Sequence, residues 1–450
     1  MTSFPSNTQA EPIKSTEQIV DEWASLLMKE FDFATMADSR EIYRYVDTVG
    51  DENEGIYVND GEQFIESQLE MGASGVTVHK VKEVVEKIRR RTFTKRDNFD
   101  SDPDMLNVED CWIKLNTGEV FSHNADRLSI SKLPIRYEQK AKCFEIKKFL
   151  KSTLDDEDIV KVVRMIGYLL EPSCKHQKAF MLVGNGSNGK SVIIDLLAAF
   201  VGKSNTSNVS LQGLSERFGT SDLYGKWLNT HADIPNKKIA ETSNFKLLAA
   251  GETIRAEKKG KDSYTFRNRA KMVFSANDIP PSDDESDGYF RRWVIVNFRR
   301  TFEGADADTG LIKKLTTPEE LSGLLNVALA ARKALENEHG FPKESIEQIK
   351  AAYETGASRV REFLEQKCEI DVGDKALSIE ASHLQHAYRE YGRSKGERIL
   401  DDNILGKELK RLGVENRLKA IGGRRRHCYI GIRLKVEPPT TLTQFGETAA

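Results

Sequence analysis

Much of what would classify a chain at sight is scarce or missing here. Five cysteines, Cys111, Cys143, Cys174, Cys368 and Cys428, are scattered through 450 residues with no C-x-x-C pair. That spacing argues against a disulfide framework or a zinc site and fits a reducing compartment, where ordinary buried or half-buried thiols are expected. No apolar run reaches the roughly 18 to 20 residues a membrane span requires, and the start, MTSFPSNTQAEP, lacks the charged-then-apolar order of a secretory signal. A cytoplasmic protein without a membrane partner is expected. Neither sign of charge dominates: 67 Lys and Arg oppose 70 Asp and Glu, leaving −3. A nucleic-acid partner would therefore have to be met by a local basic surface.

What is present points to a multidomain globular chain with no internal repeat, its 39% hydrophobic content being enough for real cores. Residues 1–15 and 437–450 are polar and aperiodic and read as loose tails. Residues 16–142 read as an α+β module, with GIYVND as strand and turn, VHKVKEVVEKIRRRTF as an amphipathic helix and CWIKLNTGEVFSH as a hairpin around Asn116-Thr117-Gly118. Two helices joined by the acidic turn DDED fill 143–176, and strands alternate with helices over 177–300 in the α/β manner. A helical stretch, 301–358, precedes a last module, 359–436, in which helices give way to the strand-like run CYIGIRLKV.

The most informative stretch is MLVGNGSNGKSVIIDLL. It satisfies G-x-x-x-x-G-K-[ST] as Gly184, Asn185, Gly186, Ser187, Asn188, Gly189, Lys190 and Ser191, with Val192 continuing into a predicted helix and AFMLV forming a predicted strand before it. Glycines let backbone N–H groups converge on phosphate oxygens and the helix N-terminus adds partial positive charge. Lys190 can reach the β- and γ-phosphates, and the Ser191 hydroxyl can ligate Mg²⁺. The expected ligands are ATP and Mg²⁺. A P-loop also needs an acid at the end of a neighbouring strand, which KWLNTHAD supplies as Asp233. Farther on, KMVFSAN ends in the polar Asn277, placed to contact a γ-phosphate or the attacking water. The acidic run Asp283, Asp284, Glu285 and Asp287 reads as a solvated loop. It is followed by Arg291 and Arg292, whose position suggests an arginine finger acting on a neighbouring subunit's triphosphate.

The ordered set GNGSNGKS, WLNTHAD, FKLLAAGETIRAEKKGKDSYTF, MVFSAN and FRRW resembles the helicase part of the phage, plasmid and poxvirus primase-helicases, the superfamily-three DNA helicases. The similarity extends to IRRRTF, LNVEDCWIKLNTGEV and MIGYLL toward the amino terminus. It implies an AAA+ P-loop NTPase core flanked by an N-terminal α+β module and a C-terminal winged-helix domain, assembled as a homo-hexameric ring. In that resemblance Lys190 and Ser191 are the Walker A pair, Asp233 the Walker B acid that shares the metal with Ser191, and Asn277 sensor 1. Arg292, or else Arg291, is the finger. Lys246, Gly251 and Glu252 match an additional motif that leads into a channel hairpin carrying Lys258, Lys259 and Lys261 for DNA. Two positions depart from the pattern, Glu252 where relatives often have Asp and Asp110-Cys111 where many have Asn-Gly.

Residues 1–140 show no metal-binding carboxylate pair for nucleotidyl transfer, which leaves room for a separate primase or polymerase as a partner. In the last module Lys407, Lys410, Arg411, Arg417, Lys419, Arg424, Arg425, Arg426, Arg433 and Lys435 meet few acids. GGRRRHCYIGIRL has the layout of a DNA-binding wing. The resulting expectation is an ATP-dependent helicase of viral, phage or mobile-element replication, translocating on single-stranded DNA and opening forks in the host cytoplasm. An ATP-switched initiator or loader without unwinding, and a monomeric P-loop kinase, are the alternatives.

Overall fold

In the computed structural model, residues 14–435 are described, apart from 185, 236, 258, 261–262, 278, 303–307, 309, 343, 357–358, 395–404, 407–408, 411 and 422–423. The tails and Lys407 and Arg411 thus lie wholly or largely outside the described residues. Helix α1 (Thr16–Glu30) is closed at its N-terminus by a reciprocal capping box between Ser15 and Gln18. Its apolar stripe of Val20, Trp23, Ala24 and Leu27 packs with α2 (Gly61–Gly72) and α3 (Val78–Arg91), where Val81, Val84, Val85 and Ile88 recur at helical spacing. A four-stranded sheet joins them, made of β1 (Phe33–Met36), β2 (Ile42–Tyr45), β3 (Tyr57–Val58) and β4 (Phe93–Thr94) in the order β3-β2-β1-β4. Strands β5 (Met105–Asn107), β6 (Trp112–Lys114) and β7 (Val120–Phe121) form a meander turning at Gly118.

Helices α4 (Phe144–Thr153) and α5 (Asp156–Leu169) lead into β8 (Ala179–Val183), α6 (Lys190–Val201), β9 (Thr206–Ser207) and β10 (Leu228–His231). Then come α7 (Ser243–Ala250), an antiparallel hairpin of β11 (Thr253–Ala256) and β12 (Tyr264–Arg267), β13 (Lys271–Ala276), the short α8 (Asp287–Phe290) and β14 (Trp293–Asn297). The five strands β14-β8-β13-β10-β9 form one parallel sheet. β8 and β13 are buried along their whole length, as central strands covered on both faces must be. From β8 the chain crosses to the far edge, steps back through β10 and β13, and finally passes β8 to reach β14. In such sheets ligands bind outside the carboxyl ends of the strands where the order reverses.

The structure joins what the sequence divided at 142, 176 and 300. Leu106, Ile113, Leu133 and Ile135 belong to the same hydrophobic cluster as α4, α5, β8, α6 and the helices α9 (Leu311–Leu315) and α10 (Pro318–Asn337). Two glycines permit the closest approaches. A Cβ on Gly167 of α5 would sit 2.6 Å from the Arg332 amide nitrogen of α10, and one on Gly323 of α10 would collide with the Lys142–Cys143 peptide. At the same junction Arg332 and Glu171, both almost fully buried, pair at 2.7 Å.

The chain divides into two units after Lys350, within α11 (Ile346–Gly356). The second contains α12 (Arg359–Lys367), β15 (Cys368–Ile370), β16 (Ser378–Glu380), α13 (Ala381–Ser394), β17 (Glu415–Ile421), β18 (Arg424–Ile430) and β19 (Ile432–Leu434). Its own core is built on Phe363, Leu384, Tyr388, Leu405, Leu409 and Ile432. No helix among the described residues is long and apolar enough to cross a membrane, and all five cysteines are free and buried.

Replacing glycine by alanine within a helix ordinarily stabilises it, by about 0.5–1 kcal/mol. Because the space at Gly167 is taken by backbone, Gly167→Ala is expected to destabilise the first unit by about 1–3 kcal/mol in urea unfolding. A neutral or stabilising result would show that α5 and α10 are not held this close.

Candidate nucleotide-binding site

The loop between β8 and α6 has a backbone that its sequence makes feasible. Gly189, which caps α6, has φ 91°, and Ser187 is held at φ 56°. A side chain at Gly184 would collide with the Phe298 carbonyl and the Asn188 amide, whereas Gly186 faces open space. Lys190 is 5% exposed. Its ammonium donates to Gly184 O at 2.5 Å, Asn188 Oδ1 at 3.1 Å and Asn277 Oδ1 at 3.3 Å. Burial depresses its pKa, and the negative charge of Asp233 opposes that shift. Ser191 is exposed at the helix start and Val192 is half-buried behind it. Asn185 lies outside the described residues.

Two neighbouring strands complete the constellation. Asn277 follows β13 and, as the Lys190 contact shows, stands beside the loop. Asp233, two residues beyond β10, is exposed with φ 51°; its N–H donates to Ser275 Oγ at 3.3 Å, and Ile234 N–H to Ser275 O at 2.9 Å. Left-handed backbone at two non-glycine residues of one site is a cost that functional sites often carry. Sequence reasoning therefore placed Gly184, Gly186–Val192, Asp233 and Asn277 at one edge of the sheet, and the structure brings them together there. An exposed hydroxyl and an exposed carboxylate beside a helix N-terminus are hard oxygen donors of the kind that suit Mg²⁺, and the open backbone at Gly186 leaves room for phosphate oxygens.

A third flank was not foreseen. After β14 the segment Phe298–Phe302 lies across the loop: Phe298 N–H donates to Val183 O at 2.7 Å, Phe302 N–H to Ser187 O at 2.8 Å, and Asn188 Nδ2 to Phe298 O at 3.4 Å. Arg299 and Arg300 in this strap pair with Asp155 at the start of α5, and Arg300 also donates to Lys151 O and Ser152 O at 2.9 Å. The run NFRRTF carries no recognisable pattern. Only the adjacency of β14 and β8 reveals its role.

Arg291 and Arg292 lie elsewhere. Trp293 pairs with Ala179, so the two arginines precede β14 at the sheet edge opposite the loop, roughly five strand residues or about 17 Å away. Arg291 is exposed. Arg292, the first choice for the finger, is only 6% exposed and donates to Gly288 O of its own α8. Burial lowers its pKa, and Glu252 and Asp284 counter the effect. A side chain so enclosed lacks the reach expected of a finger, a constraint that the exposed Arg291 does not share. The acidic run is not simply solvated either. Asp284 accepts from Lys246 at 2.8 Å and from Thr242; these bonds and one from Ser286 outweigh burial and hold its carboxyl well below the usual range. Asp283 pairs with Lys238 at 2.5 Å.

The β11–β12 hairpin enters the sheet through β13, with Ala256 opposite Tyr264 nearest its tip. Lys259 at the tip is exposed; Lys258 and Lys261 lie outside the described residues. Tyr264, near the tip, is covered by Arg96, whose guanidinium lies 4.8 Å from that ring and 4.4 Å from Tyr224 while chelating Asp38 at 2.7 and 2.9 Å. In the second unit β17 and β18 pair from Glu415↔Ile430 to Ile421↔Arg424, with exposed Arg425 and Arg426 near the turn. The sequence expectation of a patch with few acids needs correcting, because Arg426 pairs with Glu380 at 2.8 Å and Arg433 with Glu369 at 2.6 Å.

Residues 76–155 match a family model described as D5 N terminal like, and residues 182–292 match one described as a family of unknown function (DUF5906). A 183-residue stretch is 24% identical to a protein provisionally named helicase L207/L206 of Acanthamoeba polyphaga mimivirus, covering 39% of this chain and 19% of that relative. The match thus spans about a fifth of the curated relative. Among solved structures, the apo C-terminal region (305–718) of NrS-1 shares the fold with a TM-score of 0.50 at 13% identity, over 91% of this chain and 98% of that one. The mixed α/β architecture with its parallel sheet is therefore a known one. The D5-type segment and the helicase-named viral relative support the resemblance to the primase-helicase family.

Proposed function

We propose that the protein is an ATP-dependent DNA helicase of superfamily-three type, working in viral, phage or mobile-element replication as a ring with an AAA+ core and a winged-helix second unit. The observation that carries this reading is the separation of Arg291 from Lys190 across the parallel sheet. An exposed arginine that cannot reach its own chain's phosphate loop is suited to act on the next chain's. The order β14-β8-β13-β10-β9, which seats the Asn277 strand between the loop strand and the Asp233 strand, fits the AAA+ assignment. Mg²⁺, held through Ser191 and Asp233, would neutralise developing phosphate charge. Lys190 binds the terminal phosphates, Asp233 and Asn277 orient water, and Arg291 of the adjacent subunit stabilises the transferring group. β13 runs from the hairpin base to Asn277, so a shift at the nucleotide would reach Lys259 through β13 and then the paired strands of the hairpin. Lys259, flanked by Lys258 and Lys261, grips phosphates of single-stranded DNA without reading bases, and Arg424, Arg425 and Arg426 of the wing add duplex or fork contacts.

An arginine acting in trans contributes about 10³ to 10⁵ in rate. Turnover per chain should therefore rise steeply with protein concentration and with added single strands. Lys190→Ala and Arg291→Ala should each be inactive alone yet recover activity when mixed, since one supplies the arginine and the other the loop. Recovery no greater than the sum of the separate preparations would sink the trans assignment. In a fork-displacement assay Lys259→Ala should hydrolyse ATP and leave the strands paired. If the wild-type chain also displaces no strand, an ATP-switched loader is the better description.

The ammonium of Lys190 is kept charged against burial partly by Asp233. Asp233→Asn should accordingly move the Lys190 titration to lower pH, readable by NMR of isotope-labelled lysine side chains, and added triphosphate should move it back up. An unchanged titration would place Asp233 too far away to share the site.

A further inference from the structure

We propose that the exposed face of α4, with the segment just before it, is a contact surface for single-stranded DNA, separate from the β11–β12 hairpin. The inference rests on the reading above only in that the chain works on DNA.

Five lysines, Lys140, Lys142, Lys147, Lys148 and Lys151, fall within twelve residues, and all are exposed. None of their ammonium groups has an ion-pair partner among the described residues. From Phe144 through Lys147 and Lys148 to Lys151 the spacing is that of one helix face, over a rise of about 10 Å. Ile146, Phe149, Leu150 and Thr153 form the buried face. The acids nearby are engaged elsewhere. Glu145, the helix's one acid, lies within electrostatic reach of Lys314 on α9, Glu320 accepts from the amides of Glu145 and Ile146, and Asp155 pairs with Arg299 and Arg300.

Helix electrostatics do not account for this arrangement. Cations suit the carboxyl end of a helix, where Lys151 sits, but Lys140 and Lys142 precede the amino end, where the dipole disfavours them. Lys147 and Lys148 stand four and three residues from Lys151, spacings at which like charges repel. A polyanion relieves that repulsion. The ring of Phe144 is 67% exposed beside the same lysines. An unpaired base can stack on such a ring, whereas a base held inside a duplex cannot. Lysines that follow a phosphate backbone, with an aromatic platform among them, make up a sequence-tolerant single-strand surface.

The face is also distinct from the hairpin in position. A Cβ on Gly189 would lie 3.0 Å from Thr153 and 3.4 Å from Phe149, and Arg300 donates to Lys151 O and Ser152 O, so α4 borders the phosphate loop at the carboxyl edge of the sheet. The hairpin joins β13 at the opposite end of that strand.

The test uses the full chain without nucleotide and a fluorescent oligothymidylate, read by anisotropy across a salt series. Substituting Lys147→Gln, Lys148→Gln and Lys151→Gln together should weaken binding about tenfold or more. It should also reduce the slope of log affinity against log salt by about 2, since each phosphate contact on a single strand contributes about 0.7. Phe144→Ala should weaken binding about fivefold or more and leave the slope unchanged. Both variants should keep wild-type unfolding midpoints, because every altered side chain is exposed. With 5-iododeoxyuridine in the strand, ultraviolet crosslinking should yield the peptide that carries Phe144. If the wild-type chain binds no oligothymidylate, this inference and the DNA reading fall together. If it binds, and Lys259→Ala weakens it while the lysine and phenylalanine substitutions on α4 do not, the α4 contact alone is overturned. Lysine substitutions that alter sedimentation but leave DNA affinity intact would mark a protein-docking face and overturn it as well.

Discussion

Everything at the phosphate loop depends on the parallel register of β8 with its two neighbours. Val183 stands opposite Ala276 on one side and Asn297 on the other, so three strand ends arrive together at one edge of the sheet. That arrival brings Asn277 to Lys190 and lays Phe298 across Gly184. A parallel ladder leaves little freedom here, because slipping one strand by a residue would turn its side chains to the opposite face. The buried ammonium of Lys190 is the most exacting guest of this arrangement. It has the neutral oxygens of Gly184, Asn188 and Asn277 around it and the carboxylate charge of Asp233 at longer range.

The central features were legible because they are written locally. A glycine loop between an apolar strand and a helix, and a polar residue closing each neighbouring strand, are short-range patterns, and the Asn116-Thr117-Gly118 turn and α3 were equally plain. What escaped depends on contacts between distant segments. Nothing near Arg299 says that its strand lies beside β8, and nothing near Gly167 says that α10 crosses there. The packing of Leu106 and Ile135 against α4 and α5 was hidden for the same reason, since in sequence they look like parts of a separate N-terminal module.

Paired charges were also misjudged from sequence, in both directions. The acidic run before α8 looked like a hydrated loop, yet Asp284 is hydrogen-bonded three ways and ties that loop to α7. The arginines of the β17–β18 wing looked unopposed, yet Glu380 and Glu369 meet two of them. Opposite charges that fold together are rarely neighbours in the chain. A net value near zero therefore conceals both the buried pairs and the exposed basic tips.

Strand β14 has a second consequence. It starts two residues after the exposed Arg291 on one rim of the sheet and runs into the strap that lies across the β8–α6 loop on the other. Its five residues pair along one side, with β8, from Trp293↔Ala179 to Asn297↔Val183. The arginine at one rim and the strap at the other are thus the two flanks of one short strand, and both are positioned by the same partner, β8.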